Sequence, residues 1–428
     1  MFDALVNALR TPDIRRRIIF VGIILIVYRA LGHVPIPGVD KAALGTFLDS
    51  QPFLQIINLF SGGGLSSLSI VALAMTPYIN ASIIMQLMTG VVPRLQQLSR
   101  EGEYGRNKIN QYTRYLTVPL AFLQSYGTLA LLANASTPVI SNFDLANGET
   151  LIQMFTLAAG AVLVMWLGEL ITERGIGNGI SFIIFAGIVA KLPEGLGQFL
   201  AAPDLAQGIL FGLFAIIGVT VIVYIQEGQR RIPIQYASRV RGRRMYTGGA
   251  TFLPLRVNQA GVIPIIFAIS ILTFPAQIAS YFSNSGGLVG NVANGIVGLL
   301  DRGGGVYIAG YFLLTVAFTY FYTAFTFKPD ETADQLRKNG GFIPGIRPGS
   351  PTREYLQHVV TRISLAGAFF LGVVAVSPVI IQAFFQGGVA ANFSLGGTAI
   401  LIVVSVVVET MKQIEAQLMM RNYEGFIR

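Results

Sequence analysis

Histidine is the side chain best suited to moving protons or holding a metal near neutral pH. It occurs only twice in these 428 residues, as His33 and His358. The two fall on opposite sides of the apolar runs between them, so they cannot build one metal site, and both read as structural. Cysteine is absent, which excludes thiolate nucleophiles, disulfides and sulfur-ligated metals. Glu169, Glu173 and Glu409 could serve as acids, bases or coupling-ion sites, but each lies near the end of an apolar run rather than its middle. The glycines of "GIGNG" at 175–179 have no strand before them, and no G-x-x-x-x-G-K-[ST] loop occurs in the chain. That segment reads as a tight turn. The residues therefore point away from enzymatic chemistry, and no cofactor or metal is expected. One cation stands apart: Arg347, held in "GGFIPGIRPGSPT" (340–352) among four glycines and three prolines. Such a stretch is a shaped loop, because proline fixes φ and glycine supplies positive φ.

The elements that must position these residues are membrane helices. The chain is 53% hydrophobic and 12% charged, with mean hydropathy +0.62. A bilayer core takes about 20 apolar residues per helix. Charge-poor runs of that kind recur near 18–34, 70–93, 115–134, 151–168, 178–192, 208–225, 257–281, 306–326, 363–385 and 395–408. Lipid offers backbone groups no partner, so ten helical spans are expected. Arg15–Arg17 before "IIFVGIILIVY" resemble the start of a signal peptide, but no small-x-small site follows, so the run reads as an uncleaved first span.

Charge sets the orientation. With ten spans both termini share one side, and 26 of the 30 lysines and arginines fall there; the exceptions are Arg29, Lys41, Lys191 and Arg302. By the positive-inside rule that side is the cytosol. Two long excursions lie on it, at about 227–256 and 327–358. The first carries Arg230, Arg231, Arg243 and Arg244 interleaved with Tyr236 and Tyr246, and its Pro-Ile-Gln-Tyr segment reads as a short strand. The second opens with "KPDETADQLRKNGG", an amphipathic turn of helix, and continues into the Arg347 loop. The basic residues satisfy the positive-inside rule by themselves. The length and the Gly/Pro shaping fit a docking surface for an anionic partner.

Residues 53–92 hold a short apolar piece, the cluster Gly62–Gly64, and a span broken near Thr76-Pro77. The short piece reads either as a re-entrant segment buried in protein or as an interfacial outer loop. The runs 70–93, 115–134, 151–168, 257–281, 306–326 and 395–408 contain no Asp, Glu, Lys or Arg at all, which disfavours an ion-coupled transporter. What remains inside is polar but neutral: Asn80, Gln86, Asn258, Gln259 and Gln277. Such amides either glue helices together or mark a seam that opens. The lone Trp166 reads as an interfacial anchor.

At "FSGGGLSSLSIVALAMTPYINASIIMQL", "EGEYGRNKINQYTRY", "MWLGELITERGIGNGISFIIFAGIVA", "VNQAGVIPIIFA", "FYTAFTFKPDETADQLRKNGGFIPGIRPGSPT" and "LGGTAILIVV" the sequence closely resembles the SecY family, and the likeness runs over nearly the whole chain. Members of this family form the pore of the bacterial Sec protein-conducting channel. The resemblance implies an all-α polytopic membrane protein: ten transmembrane helices in two pseudo-symmetric inverted halves, 1–196 and 197–428, around an hourglass pore with a short re-entrant plug helix. It implies a pore ring of Met75, Ile79, Ile180, Ile184, Ile266 and Ile402, with methionine at 75 where isoleucine is expected. It places the plug at about 57–69, including Leu59, Phe60, Ser61, Gly62, Gly63, Gly64 and Leu65. Asn80, Gln86, Asn258 and Phe274 face the lateral gate of spans two, three, seven and eight, with Asn80 and Asn258 approaching across it. Arg347, shaped by Gly345, Pro348 and Gly349, matches the arginine that engages the motor SecA or the ribosome. SecE-like and SecG-like small subunits, signal-sequence-bearing polypeptides and anionic lipids complete the implied partners, in the bacterial plasma membrane. The other readings are a secondary transporter of a small solute, which would depend on a coupling ion, and a membrane transferase, which would need an interfacial His, Asp or Glu.

Overall fold

Apolar side chains and an unhydrated backbone leave the chain one local solution inside a bilayer, the helix, and ten long helices are what it forms. A computed structural model describes residues 9–40, 43–45, 58, 61–133, 139–140, 143–144, 147–201, 205–236, 239–241, 244–246, 250–282, 287–300, 304–384 and 397–427. The long helices, called spans one to ten, are Pro12–Leu31, Thr76–Val91, Glu103–Ala133, Gly148–Arg174, Gly179–Ala201, Leu205–Glu227, Ile263–Tyr281, Gly305–Thr326, Ser350–Phe384 and Gly397–Ile427. Five of them (three, four, seven, eight and nine) carry an apolar stretch long enough to cross a membrane by length and composition among the described residues. Span two, at 16 residues, is short because the expected stretch 70–75 is not helical.

That is the main departure from the hydropathy pattern. The run expected at 70–93 becomes helix only at Thr76, with Pro77 in the first turn. Pro77 fits there because the first amides of a helix need no intrahelical partner. Residues 61–75 form a chain of turns instead, with positive φ at Gly62, Gly63, Leu68 and Ala74. Likewise the run expected from 257 becomes helical only at Ile263, after a turn closed by Asn258. Two short helices were not expected at all: Pro93–Arg100 after span two and the apolar Leu288–Leu299 after span seven. The helix Gly179–Ala201 runs through the expected boundary at 196/197.

Spans one to five pack on one another through the pairs one–four, two–three, three–four and four–five. Spans seven to ten do so through seven–eight, eight–nine and nine–ten, with span six on span ten. The main contacts between the two sets run along two edges: span five with span ten, and span seven with spans two and three. Lys412 of span ten and Glu227 of span six form an ion pair of 2.8 Å.

Outside the helices, the two basic excursions share one antiparallel sheet in the order β4-β1-β5. Strand β1 (Gln229–Tyr236) pairs β4 (Ala250–Arg256) with Ile232 opposite Leu253, and pairs β5 (Gly341–Phe342) with Tyr236 opposite Gly341. A small hairpin, β2 (Arg239–Arg241) with β3 (Arg244–Tyr246), extends from it. The expected Pro-Ile-Gln-Tyr strand is thus real and longer. Along β1, Ile232 and Ile234 are buried while Arg231, Pro233 and Gln235 face solvent, the alternation of a one-sided sheet. The buried face rests on Leu255, Ile343 and the start of span nine at Leu356, Val359 and Val360. The amphipathic turn becomes a ten-residue helix, Pro329–Lys338, tied to span nine by Arg353–Asp330 at 3.0 Å.

Candidate functional site

Apolar residues from four helices meet at the centre. Met75 caps the N-terminus of span two and Ile79 lies one turn on; Ile184 comes from span five, Ile266 from span seven and Ile402 from span ten. All five are buried in one hydrophobic cluster, and Ile180 packs against it partly buried. The six residues of the expected ring are therefore brought together, although they are spread over 328 positions of sequence. The β-branched isoleucines hold few rotamers, so they make a defined apolar surface. Methionine at 75 behaves differently: its terminal methyl lies over Gly168 of span four, where a Cβ would be 3.0 Å away. An unbranched thioether fills such an irregular gap well.

The turns of 61–75 connect this cluster to a second one. Val71 and Met75 belong to the central cluster, while Leu65, Leu68, Ala72 and Leu73 pack with Ala121 and Leu129 of span three and Leu157, Ala158 and Ala161 of span four. Buried backbone outside regular structure must find its own hydrogen bonds. It does so through short-range turns, such as Leu68 N–H to Leu65 O at 3.0 Å and Ala72 N–H to Ser69 O at 2.9 Å, and through rungs to the segment after span one, Ile36 N–H to Leu68 O and Ile70 N–H to Val34 O at 3.0 Å each. Gly160 of span four lets Ile70 come close: a Cβ there would be 1.7 Å from the Ile70 carbonyl oxygen.

Of the expected plug residues, Leu59 and Phe60 lie outside the described residues. Ser61 and Leu65 are buried, and Ser61 Oγ accepts from Leu65 N–H at 3.2 Å. The stretch 61–69 is turns rather than the expected helix, because two of its three adjacent glycines adopt positive φ. Gly62 also meets Gly187 of span five so closely that a Cβ would lie 2.8 Å from the Gly187 Cα.

The expected seam residues divide. Asn80 is buried in span two, Gln86 and Phe274 are half-buried, and spans two and seven touch. Among the described residues no hydrogen bond joins Asn80 to Asn258. Asn258 donates from Nδ2 to Gly261 O and accepts at Oδ1 from Gly261 N–H, both at 3.0 Å, so its amide is consumed in its own turn. Asn side chains close local turns readily, which is the competing role that wins here. Between the C-terminal end of span two and spans eight and nine opens a cleft of about 580 Å³ lined by Thr89, Gln96, Arg100, Tyr320, Lys328 and Glu331 among others.

The Arg347 loop is as shaped as its sequence requires. Gly340, Gly345 and Gly349 have φ of 72°, 80° and 107°. At Gly345 and Gly349 a Cβ would meet nothing, so the backbone conformation, not space, selects glycine. Ile343 is buried and Ile346 half-buried against the sheet's core; Thr352 Oγ1 donates to Arg347 O at 2.8 Å. Arg347 is left exposed, without an ion pair among the described residues, and Arg230 and Arg231 are exposed nearby in sequence to the same sheet. Arg244 lies on β3, and Arg243 lies outside the described residues. His33 Nδ1 donates to Arg29 O at 2.9 Å, and His358 is exposed on span nine. Glu169 is paired with Arg114 of span three at 2.6 Å. Among the described residues no group of three or more His, Asp and Glu could hold a metal.

Ten long helices around a charge-free centre, with a buried non-helical insert against it, define a polytopic membrane protein built as a channel. The SecY family model matches residues 69–411, and the chain is 46% identical over 447 residues to the protein translocase subunit SecY of Mycobacterium bovis and 45% identical over 442 residues to that of Streptomyces scabiei, with 100% of each chain covered in both cases. The chain belongs to the SecY family: it is a protein-conducting channel subunit of the bacterial cell membrane, and not an enzyme. Its fold also matches solved structures. A protein-conducting channel superposes with TM-score 0.63 at 19% identity, covering 93% of this chain and 91% of that one. A SecY structure described by its plug domain, which stabilises the closed state and maintains a membrane seal in that protein, gives 0.63 at 20% identity and the same coverage. Sec61 in a canine ribosome–channel complex gives 0.58 at 19% identity, again over 93% and 91%.

Proposed function

We propose that unfolded polypeptides cross this protein through the ring of Met75, Ile79, Ile180, Ile184, Ile266 and Ile402. The observation that carries this reading is the convergence of those six residues, from spans two, five, seven and ten, in one apolar cluster. A narrow apolar neck resists wetting and so excludes ions, while aliphatic side chains can close around any extended chain. The turns at 61–69 act as the plug beneath it. Two halves, spans one to five and six to ten, hinge at the span five–span ten edge and part at the edge of spans two and three with span seven. Signal sequences and transmembrane segments leave sideways there into lipid. Both termini face the cytosol, where a motor of the SecA kind or a translating ribosome docks on Arg347 and the basic sheet. The canine relative's complex with a ribosome supports the second of these. SecE-like and SecG-like helices cover the lipid-facing spans, and anionic lipids neutralise the basic cytosolic edge.

Site-specific crosslinking tests the path. A photoreactive residue at Ile79 or Ile402 should crosslink a translocation intermediate arrested in proteoliposomes, and one at lipid-facing Ile216 should not. Equal labelling at all three positions would refute the path.

A further inference from the structure

Two consecutive side chains of span one grip two consecutive carbonyls of the plug stretch. Tyr28 Oη donates to Ser61 O at 3.2 Å, and Arg29 Nη1 donates to Gly62 O. Tyr28 is buried, and Arg29 is partly buried. Arg29 is one of four lysines and arginines off the cytosolic side, and it lies within the first span, three residues from its end. A cation there is costly and persists where it has a partner, commonly another charge or a backbone carbonyl. No carboxylate forms an ion pair with Arg29 among the described residues. Its recorded side-chain partner is the plug carbonyl.

The same glycine also touches span five. Gly62 lies against the backbone of Gly187 in span five, and Ser67 Oγ donates to Gly32 O at 3.0 Å just beyond span one. The plug stretch thus contacts both span one, through two side-chain donors, and span five, through a close glycine–glycine approach. Apolar contacts alone would let so short a stretch slide. A guanidinium hydrogen bond to a carbonyl fixes its position, and it is stronger than a neutral pair.

We propose that Tyr28 and Arg29 are positioning residues that latch the plug at rest, and that withdrawal of the Gly62 carbonyl from Arg29 is an obligatory step of opening. This rests on residues 57–69 being the plug, and the test separates the two claims. The purified channel complex is placed in planar bilayers without motor or ribosome, and resting chloride conductance is recorded. Losing a hydrogen bond to a charged donor shifts such an equilibrium by roughly tenfold or more, so Arg29→Gln should raise the open fraction by about that factor. Tyr28→Phe should raise it about threefold, the weight of a neutral bond. Arg29→Lys keeps a cationic donor and should return conductance toward the parent, while motor-driven import stays near the parental rate in all three. Because the chain has no cysteine, Ser66→Cys provides a single thiol, which an impermeant maleimide added outside should label faster in the Arg29→Gln background. A silent Arg29→Gln channel beside a leaky deletion of 57–69 overturns the latch alone. A silent deletion overturns the plug reading itself. A leak in Arg29→Gln that Arg29→Lys does not suppress also overturns the latch, since it reports general loosening.

Discussion

The phenol ring of Tyr281, at the end of span seven, occupies the place where a side chain on Gly127 of span three would stand. A Cβ at Gly127 would lie 1.9 Å from two ring carbons and 2.4 Å from the hydroxyl oxygen. Both residues sit on the edge where spans seven and three meet, so the contact there is a ring seated on bare backbone.

Gly127→Ala must therefore push the ring out. Overpacking of this kind costs about 1–3 kcal/mol, and here it falls on the closed arrangement of the two spans. Export of a reporter with a weakened signal sequence should rise relative to the same reporter with an intact one. In the Tyr281→Ala background the alanine at 127 should add nothing further. An additive effect would show that the two residues act separately.

The central cluster yields a second expectation. Changing Ile79, Ile184 and Ile402 together to serine should hydrate the neck and let chloride and other small ions leak at rest, whereas one serine leaves five apolar neighbours to keep it dry. Single-channel recording without motor or ribosome measures this. A triple variant as quiet as the parent would remove these residues from the seal.

At the Arg347 loop, Arg347→Glu should lose motor-driven import while the protein folds and inserts normally. Lysine should restore only part of the activity, because it lacks the planar fork of the guanidinium. Gly349→Ala, at a φ of 107°, strains the loop by about 1–2 kcal/mol and should lower import without touching the charge. ATP-dependent import into proteoliposomes decides all three; normal import by the glutamate variant would dismiss the loop as a docking point.

Because Asn258 closes on Gly261, it does not bond Asn80, and leucine at the two positions should act independently. Their effects on signal-sequence selectivity should add to within about 0.5 kcal/mol, as unlinked sites do. Asn258→Leu alone should cost about 1 kcal/mol of stability through its lost turn. A coupling energy well above that margin would restore the pairing across the seam.

How much of this was readable beforehand follows from what hydropathy measures. It reports where side chains go, and all ten spans were visible in it. It does not report the path of the backbone. Leu65, Leu68, Val71 and Leu73 are as buried as helix residues, yet they sit on turns, and the left-handed Leu68 and Ala74 carry no mark in the sequence. The six central residues were assigned by family resemblance, since nothing in their spacing joins four distant helices. The Asn258 turn was not foreseen because an asparagine beside an apolar run suits a seam and a turn equally. Leu288–Leu299 was passed over because it is too short to span and is rich in glycine. The Arg29 contact could not be foreseen, although the odd position of its charge could.

The sheet β4-β1-β5 has a mechanical meaning. Strand β1 leaves span six two residues after it ends, β4 leads into span seven, and β5 immediately precedes the Arg347 loop, which runs straight into span nine. A pull or push at Arg347 is thereby delivered through a stiff cross-brace to three helices at once, span seven of the seam among them. Slack in this linkage, not grip at its tip, would set how much of a partner's stroke becomes movement of the channel wall.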